Sequence, residues 1–389
     1  MANEKNIQFV KGNDAQQEEL IDFINYVFNM NGRDNDFYRN LPKIYKEEYH
    51  PCEYNYLTLE NDHIVAAVGS FPGEVTVCDT KLKYYGIGNV AVNPYRRSKG
   101  YMQKLMDMAV EQMLKEEVDF SLLSGRRHRY SYFSYDLAGI KNCFWLDESN
   151  IKHSFGKNRK ARFHFDIISE IDQEALQEIA NLQEMQPFYY HRESNKLYDI
   201  LKNWNTVDIY GIYEETRFAG YLLCYNKNNI KELILLNQED VSEVIADFIT
   251  IVKKDGLTIE IPDYQRSFVN EISTFAENVS IQVVDNFSVF HYGKVIDAFL
   301  RLKAQTDKLA DGDITLLIHG KKMDEKLLIS VKDNQVSVTK TDNEANYEYN
   351  HQEAMSLLFS NYSPLRSKTP FEIQTWLPLP IFIFPADQV

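Results

Sequence analysis

The chain has 389 residues, 44% of them hydrophobic and 25% charged, the make-up of a globular protein with apolar side chains enough for two or three cores. Its formal charge of −15 speaks against nonspecific nucleic-acid binding, which needs a basic surface, and suits either attraction of small cations or plain solubility. Four scattered cysteines (Cys52, Cys78, Cys143, Cys224) have no zinc spacing, no apolar run is long enough for a membrane span, and the opening Met-Ala-Asn-Glu-Lys lacks the apolar core of a leader, so a cytoplasmic setting with reduced thiols and no membrane contact is expected.

In chain order, an N-cap at Asp14 predicts a helix to about residue 28, with Leu20, Ile21, Ile24 and Val27 or Phe28 on one face. Residues 30–38 read as a polar loop or short turn. Strands are predicted at 54–59 and 63–71, then at 74–78 and 82–92. Met102, Leu105, Met106, Ala109 and Met113 recur at helical spacing over 101–115. A buried strand follows at 120–123, a helix or turn at 130–138, and a last strand starting at Phe144-Trp145. The basic, polar stretch 150–162 reads as a linker. A second α/β unit then has strands at 163–167, 207–213, 218–225 and 257–261 and helices at 173–183 and 242–253. It echoes the first unit but has no basic, glycine-containing loop, so no cofactor is expected there. From residue 293 the pattern changes to a helix at 295–302, strands at 314–319, 326–331 and 335–339, and a helix at 351–359.

The chemistry concentrates in Asn89-Val-Ala-Val-Asn-Pro-Tyr-Arg-Arg-Ser-Lys-Gly-Tyr-Met102. A strand, a break at Pro94, a basic loop ending in Gly100 and then a helix are the parts of a phosphate site. Backbone N–H groups and the positive end of the helix dipole face the anion, and Gly100 lets the backbone come close. Arg96, Arg97 and Lys99 add charge. The ligand class is a pyrophosphate-bearing cofactor; a solvated basic turn is the plainer alternative. Gly86-Ile-Gly-Asn-Val-Ala91 matches a dinucleotide fingerprint in letters only, because a strand follows it where the mechanism needs a helix. Nine scattered histidines with no facing pair suggest no metal.

Arg97-Ser-Lys-Gly-Tyr-Met102 resembles motif A of the GCN5-related N-acetyltransferases (GNAT), Gln/Arg-x-x-Gly-x-Gly/Ala, with Met102 in place of the last small residue. Tyr130-Ser-Tyr-Phe-Ser-Tyr135 resembles the end of motif B, Tyr-x-x-Phe-Gly-Phe/Tyr, with Ser134 where glycine is usual. The three-part layout is similar to the enhanced intracellular survival (Eis) type. The resemblance implies an α/β (α+β) architecture of tandem GNAT-like mixed sheets flanked by helices, plus an α+β sterol-carrier-protein-2-like domain, divided 1–150, 151–292 and 293–389. It implies acetyl-CoA as co-substrate, no metal, and a primary amine as acceptor (polyamine, aminoglycoside or lysine), with direct transfer in a ternary complex.

By position, Val90, Ala91 and Val92 would hold the pantetheine, and Arg97, Ser98, Lys99, Gly100 and Tyr101 the pyrophosphate. Tyr135 matches the general acid for the leaving thiolate, and Val389 the terminal carboxylate that deprotonates the amine. Asp34, Asp36 and Phe37 are candidates for holding a cationic acceptor, against the plainer reading of a solvated acidic loop. The Eis type implies a homo-oligomer, with a hexamer as one form it can take. A non-catalytic acyl-CoA or small-ligand-binding regulator is the competing function.

Overall fold

The computed structural model describes residues 6–30, 32, 35–204, 206–253 and 255–389. The chain opens with β1 (Ile7–Lys11), α1 (Gln17–Asn29), α2 (Phe37–Asn40), α3 (Pro42–Tyr45), β2 (Asn55–Glu60), β3 (His63–Val77) and β4 (Thr80–Val92). There follow α4 (Tyr101–Lys115), β5 (Phe120–Leu123), α5 (Arg127–Tyr130), β6 (Asp136–Leu146), α6 (Glu148–Phe155) and β7 (Phe163–Ile167). The middle of the chain gives α7 (Gln173–Glu184), β8 (Phe188–Tyr190), α8 (Leu197–Leu201), β9 (Val207–Glu214), β10 (Arg217–Tyr225), β11 (Asn229–Leu235), α9 (Val241–Ile251), β12 (Leu257–Pro262), α10 (Arg266–Ser273) and β13 (Asn278–Val289). The last part holds α11 (Tyr292–Thr306), β14 (Gly312–His319), β15 (Asp324–Lys332), β16 (Gln335–Lys340), β17 (Tyr347–Asn350), α12 (His351–Phe359) and α13 (Phe371–Trp376).

The fold is mixed α/β, with helices flanking two mixed sheets. The large sheet runs β1-β2-β3-β4-β5-β13-β6-β12-β11-β10-β9-β7, with β8 paired to β3. Only β4 with β5 and β11 with β12 run parallel in it. β13 enters between β5 and β6, setting Asn286 opposite Leu123 and Asp285 opposite Ala138, so a late segment completes the early part of the sheet. The second sheet runs β16-β15-β14-β17. The space enclosed between it and α11, α12 and α13 measures about 10 Å³, room for roughly one water-sized sphere.

α1 buries Leu20, Ile21, Phe23, Ile24 and Val27, the stripe its spacing predicts. Its cap differs: Asn13, not Asp14, accepts from the backbone in a capping box with Gln16 and opens a short turn ahead of the helix. α4 and β5 have the predicted bounds. β3 is one strand where two were predicted, because nothing at residues 72–73 breaks its pairing with β4. β6 begins at Asp136, so Phe144 and Trp145 lie near its end. The predicted linker begins inside α6, which Asp147 and Asn150 cap.

Near the C-terminus, Trp376, Ile381, Phe382, Ile383 and Phe384 are buried against β8 and α11 in the largest core. Full burial of each such side chain contributes about 1.5–3 kcal/mol. This run delivers residues 385–389 to the middle of the large sheet.

Candidate functional site

β4 and β5 pair from Tyr84 opposite Phe120 to Ile87 opposite Leu123, and then part. β4 continues to Val92 against β3 alone, so the β5-facing backbone groups of residues 88–92 have no strand partner among the described residues. A register slip between Ala67 and Gly69 in β3 faces Asn89, whose φ of 39° is left-handed. Such a bulge re-aims the strand. Past it, Val90 and Val92 line a cleft, while Ala91 turns to the other face and is buried beside α1. Unpaired strand amides beside apolar side chains suit an extended ligand with amides of its own.

The loop after β4 alternates handedness. Ser98 has φ 63° and Gly100 φ 77°, so successive N–H groups converge as an anion nest. Gly100 caps α4, and a Cβ built there meets nothing within 4 Å, so the approach is open. The first helical bond runs from Lys104 N–H to the Gly100 carbonyl, leaving the N–H groups of Tyr101, Met102 and Gln103 for a ligand.

Arg97, Ser98 and Lys99 are exposed on this cradle. Arg96 is not available to it: its guanidinium pairs with Glu60 at the end of β2, with Lys99 Nζ 3.9 Å from the same carboxylate. The cleft measures about 870 Å³ and takes in Val27, Phe28, Met102, Arg126 and Arg129 besides the loop. Arg126 and Arg129 escaped the sequence reading, although both stand in the Arg-Arg-His-Arg run just after β5. The Tyr101 hydroxyl is buried with no partner among the described residues. A nest, open helix N–H groups, four cations and an orphaned hydroxyl fit a pyrophosphate-bearing group such as coenzyme A.

On the opposite face of β4 lies a second cleft of about 250 Å³, bounded by Tyr54, Phe71, Gly73, Tyr84, Arg192 and Val389. A Cβ on Gly86 would stand 2.5 Å from Val389 Cγ2, and one on Gly88 3.2 Å from the Val389 carbonyl carbon, so these glycines make room for the tail.

The tail is tied down along its length. Lys43 Nζ donates to the Ala386 carbonyl at 2.7 Å, Trp204 Nε1 to Pro385 at 3.2 Å and Asn203 Nδ2 to Gln388 at 2.9 Å. Arg192 grips Asp387 at 2.8–2.9 Å with one side and Glu232 at 2.8–2.9 Å with the other. Burial pushes the Lys43 amine down to about 7, against the pull of Asp387.

Neither Asp36 nor Phe37, the candidates for holding the acceptor, lines either cleft. Asp36 caps α2, accepting from the N–H groups of Tyr38 and Arg39. Phe37 is core, edge-on to Phe28 and Tyr45 at 5.2 Å. Asp34 lies outside the described residues.

Tyr135 is fully buried and lines neither cleft; its hydroxyl is 2.7 Å from Ser121 Oγ, which donates to the Tyr85 carbonyl. Burial holds its phenol well above the usual range. Tyr130, its neighbour, is also buried and lines neither cleft, but it lies over Gly125 just past β5 and hydrogen-bonds to Arg129, which lines the cofactor cleft. Burial raises the Tyr130 phenol and Arg129 opposes the rise. Ser134 has φ 72°, which explains why glycine is usual at that position. Its carbonyl accepts from His351 Nε2 at 2.8 Å, and Tyr292 donates to His351 Nδ1 at 3.0 Å, so α12 latches this turn.

Asp285 stands where β5 ends, accepting from Ser124 Oγ, Gln388 Nε2 and Asn286 N–H. Burial pushes its carboxyl up to about 6; Ser124, Asn286 and, from β6, Lys141 oppose the rise. Above about pH 6 the folded protein bears the full cost of the buried charge, and below about 4 it bears none. Stability therefore falls as pH rises through that window. Asp285→Asn is expected to flatten this fall and to raise stability at pH 7–8 by about 1–3 kcal/mol. Urea unfolding at pH 4, 6 and 8 checks it; an unaltered pH dependence would contradict it.

Among the described residues no helix is long and apolar enough to cross a membrane, and no group of three or more His, Cys, Asp and Glu is placed to hold a metal ion. Residues 9–138 match the family model for the acetyltransferase (GNAT) domain. No curated protein matches the chain in sequence. In fold, the chain is similar to a GCN5-related N-acetyltransferase from Kribbella flavida, at 13% identity and TM-score 0.67, with 100% of each chain covered. It is similar to another from Anabaena variabilis, at 14% identity and TM-score 0.66, with 98% of each covered. It is also similar to Eis1 from Mycobacterium abscessus, at 10% identity and TM-score 0.62, with 98% of each covered. The cradle and strand β4, which both clefts border, thus lie within the stretch that matches the GNAT acetyltransferase domain.

Proposed function

We propose that this protein is an acetyl-CoA-dependent N-acetyltransferase that passes acetyl to a primary amine by direct attack in a ternary complex. One observation carries the reading: the anion cradle at α4 and the cleft that ends at Val389 border the same strand, β4, on its two faces, beside the gap where β5 parts from it. Acetyl-CoA, when bound, supplies the activated thioester. The N–H groups of residues 97–103, with Arg97, Lys99, Arg126 and Arg129, hold its phosphates. Val90 and Val92 flank its arm, and the free amides of β4 stabilise the developing oxyanion.

Tyr130, beside Arg129 at the end of β5, returns a proton to the departing thiolate; we place that role there in preference to Tyr135, whose hydroxyl Ser121 occupies. Where Val389 bears the terminal carboxylate, that group takes the ammonium proton. A carboxylate is a weak base for an ammonium, so the apolar surroundings of the tail have to raise its basicity. We further propose that residues 151–292 are a second GNAT-like unit without cofactor, that residues 293–389 are a scaffold of sterol-carrier type, and that the working form is a cytoplasmic homo-oligomer.

The test is release of free thiol from acetyl-CoA on adding primary amines to the purified protein. Amine-dependent release is expected. Acetyl-CoA binding without release for any amine would favour a non-catalytic acyl-CoA-binding protein.

A further inference from the structure

We infer that the acceptor is a small amine with one positive charge on a flat aromatic or apolar body, and not a polycation; this rests on the acetyl-transfer reading above. A polyamine or aminoglycoside presents several ammonium groups, and each needs an anion that is not already matched. The cleft beside Val389 offers few. Asp387 is 5% exposed and gripped by Arg192, and Glu193 is held by Lys196 at 3.1 Å. On the same walls stand Arg192 and Lys196, with His191 beside Glu74 and with Lys43, which burial drives towards neutrality and whose Nζ is bound to the Ala386 carbonyl. A second or third ammonium would meet Lys196 where it needs an acid. Where the chain ends at Val389, its carboxylate is left to face one positive charge.

The remaining wall is aromatic. Tyr54 and Phe71 lie with ring centroids 6.0 Å apart, and Tyr84 lies across Gly73 so closely that a Cβ there would stand 2.3 Å from its ring. Glycine keeps this floor flat. Ring faces attract a single cation and stack on a planar body. Lys196 already sits over the Tyr49 ring at 4.7 Å, so that face is taken and the rim stays positive. At about 250 Å³ the space also falls below the roughly 300–1,000 Å³ of drug-sized sites. The chain's net charge of −15 therefore resides elsewhere and does not describe this cleft.

The experiment is calorimetric titration of the full chain, with coenzyme A present, by 2-phenylethylamine and by spermidine, alongside thiol release with each. Phenylethylamine is expected to bind at least tenfold more tightly and to show at least tenfold higher kcat/KM. Lys196→Glu, which reverses the rim charge and releases Glu193, is expected to improve spermidine about tenfold. Spermidine binding as tightly as phenylethylamine, or phenylethylamine failing to bind, would overturn the inference. If acetyl-CoA itself does not bind, the acetyl-transfer reading falls, while the amine titrations still decide which amine the cleft prefers.

Discussion

Replacing Tyr130 by phenylalanine is expected to lower kcat about a hundredfold, within the range for a positioned proton donor, with acetyl-CoA affinity changed by no more than about twofold. The ring over Gly125 stays and so does its packing; only the hydroxyl near Arg129 goes. Tyr135→Phe removes a hydroxyl committed to Ser121 and is expected to cost less than about tenfold in kcat, with a modest loss of stability of about 1 kcal/mol for the buried hydrogen bond. Steady-state thiol release and thermal unfolding of both variants separate the roles. A large kcat loss at Tyr135 with none at Tyr130 would return the donor to Tyr135.

Arg192→Ala is expected to destabilise the protein by about 3–5 kcal/mol. The Arg192 side chain is 2% exposed and lies between Glu232 and Asp387, both nearly as buried. Without it two carboxylates share a pocket with Tyr84, Tyr190 and Tyr221, and the Lys43 beside Asp387 is one that burial already drives towards neutrality. The tail loses its firmest anchor as well, so kcat should fall with the unfolding midpoint. Adding Glu232→Gln removes one of the stranded charges and is expected to recover part of the stability but not of the activity, because Asp387 remains untethered. Urea unfolding of the single and double variants reads both effects; an unchanged midpoint in Arg192→Ala would contradict this view of the tail.

Local signals carried much of the site. The loop and helix start of the cofactor cradle were legible because they lie together in residues 89–102, with Pro94 to stop the strand, Gly100 for a left-handed cap and a helical repeat from Tyr101, whereas Arg126 and Arg129 reach it from beyond β5. α4, β5 and α12 were readable to the residue for the same reason. What the sequence could not show depends on contacts far apart in the chain. β13 alternates in its first half, but Val279 and Ile281 there are exposed, and its place between β5 and β6 follows from tertiary pairing. Arg96 reads as a phosphate ligand until Glu60, at the end of another strand, is seen to hold it.

The acceptor cleft was the least legible part. It gathers Tyr54, Phe71, Tyr84, Arg192 and Val389 from five separate stretches of chain, and no spacing connects them. Asp36 and Phe37 were chosen for their chemistry in a loop near the site, and local geometry uses them for a cap and a core instead.

The central claim is that the loop and the α4 N-terminus bind acetyl-CoA, and calorimetric titration of acetyl-CoA into the unaltered chain and into Gly100→Val tests it most directly. The substitution forces a branched residue into a left-handed backbone at a cost of about 1–2 kcal/mol and sets methyl groups in the open space before the helix N–H groups. One-site binding in the unaltered chain, weakened at least tenfold in Gly100→Val, is the predicted result. No binding by the unaltered chain, or equal binding by both, would contradict it.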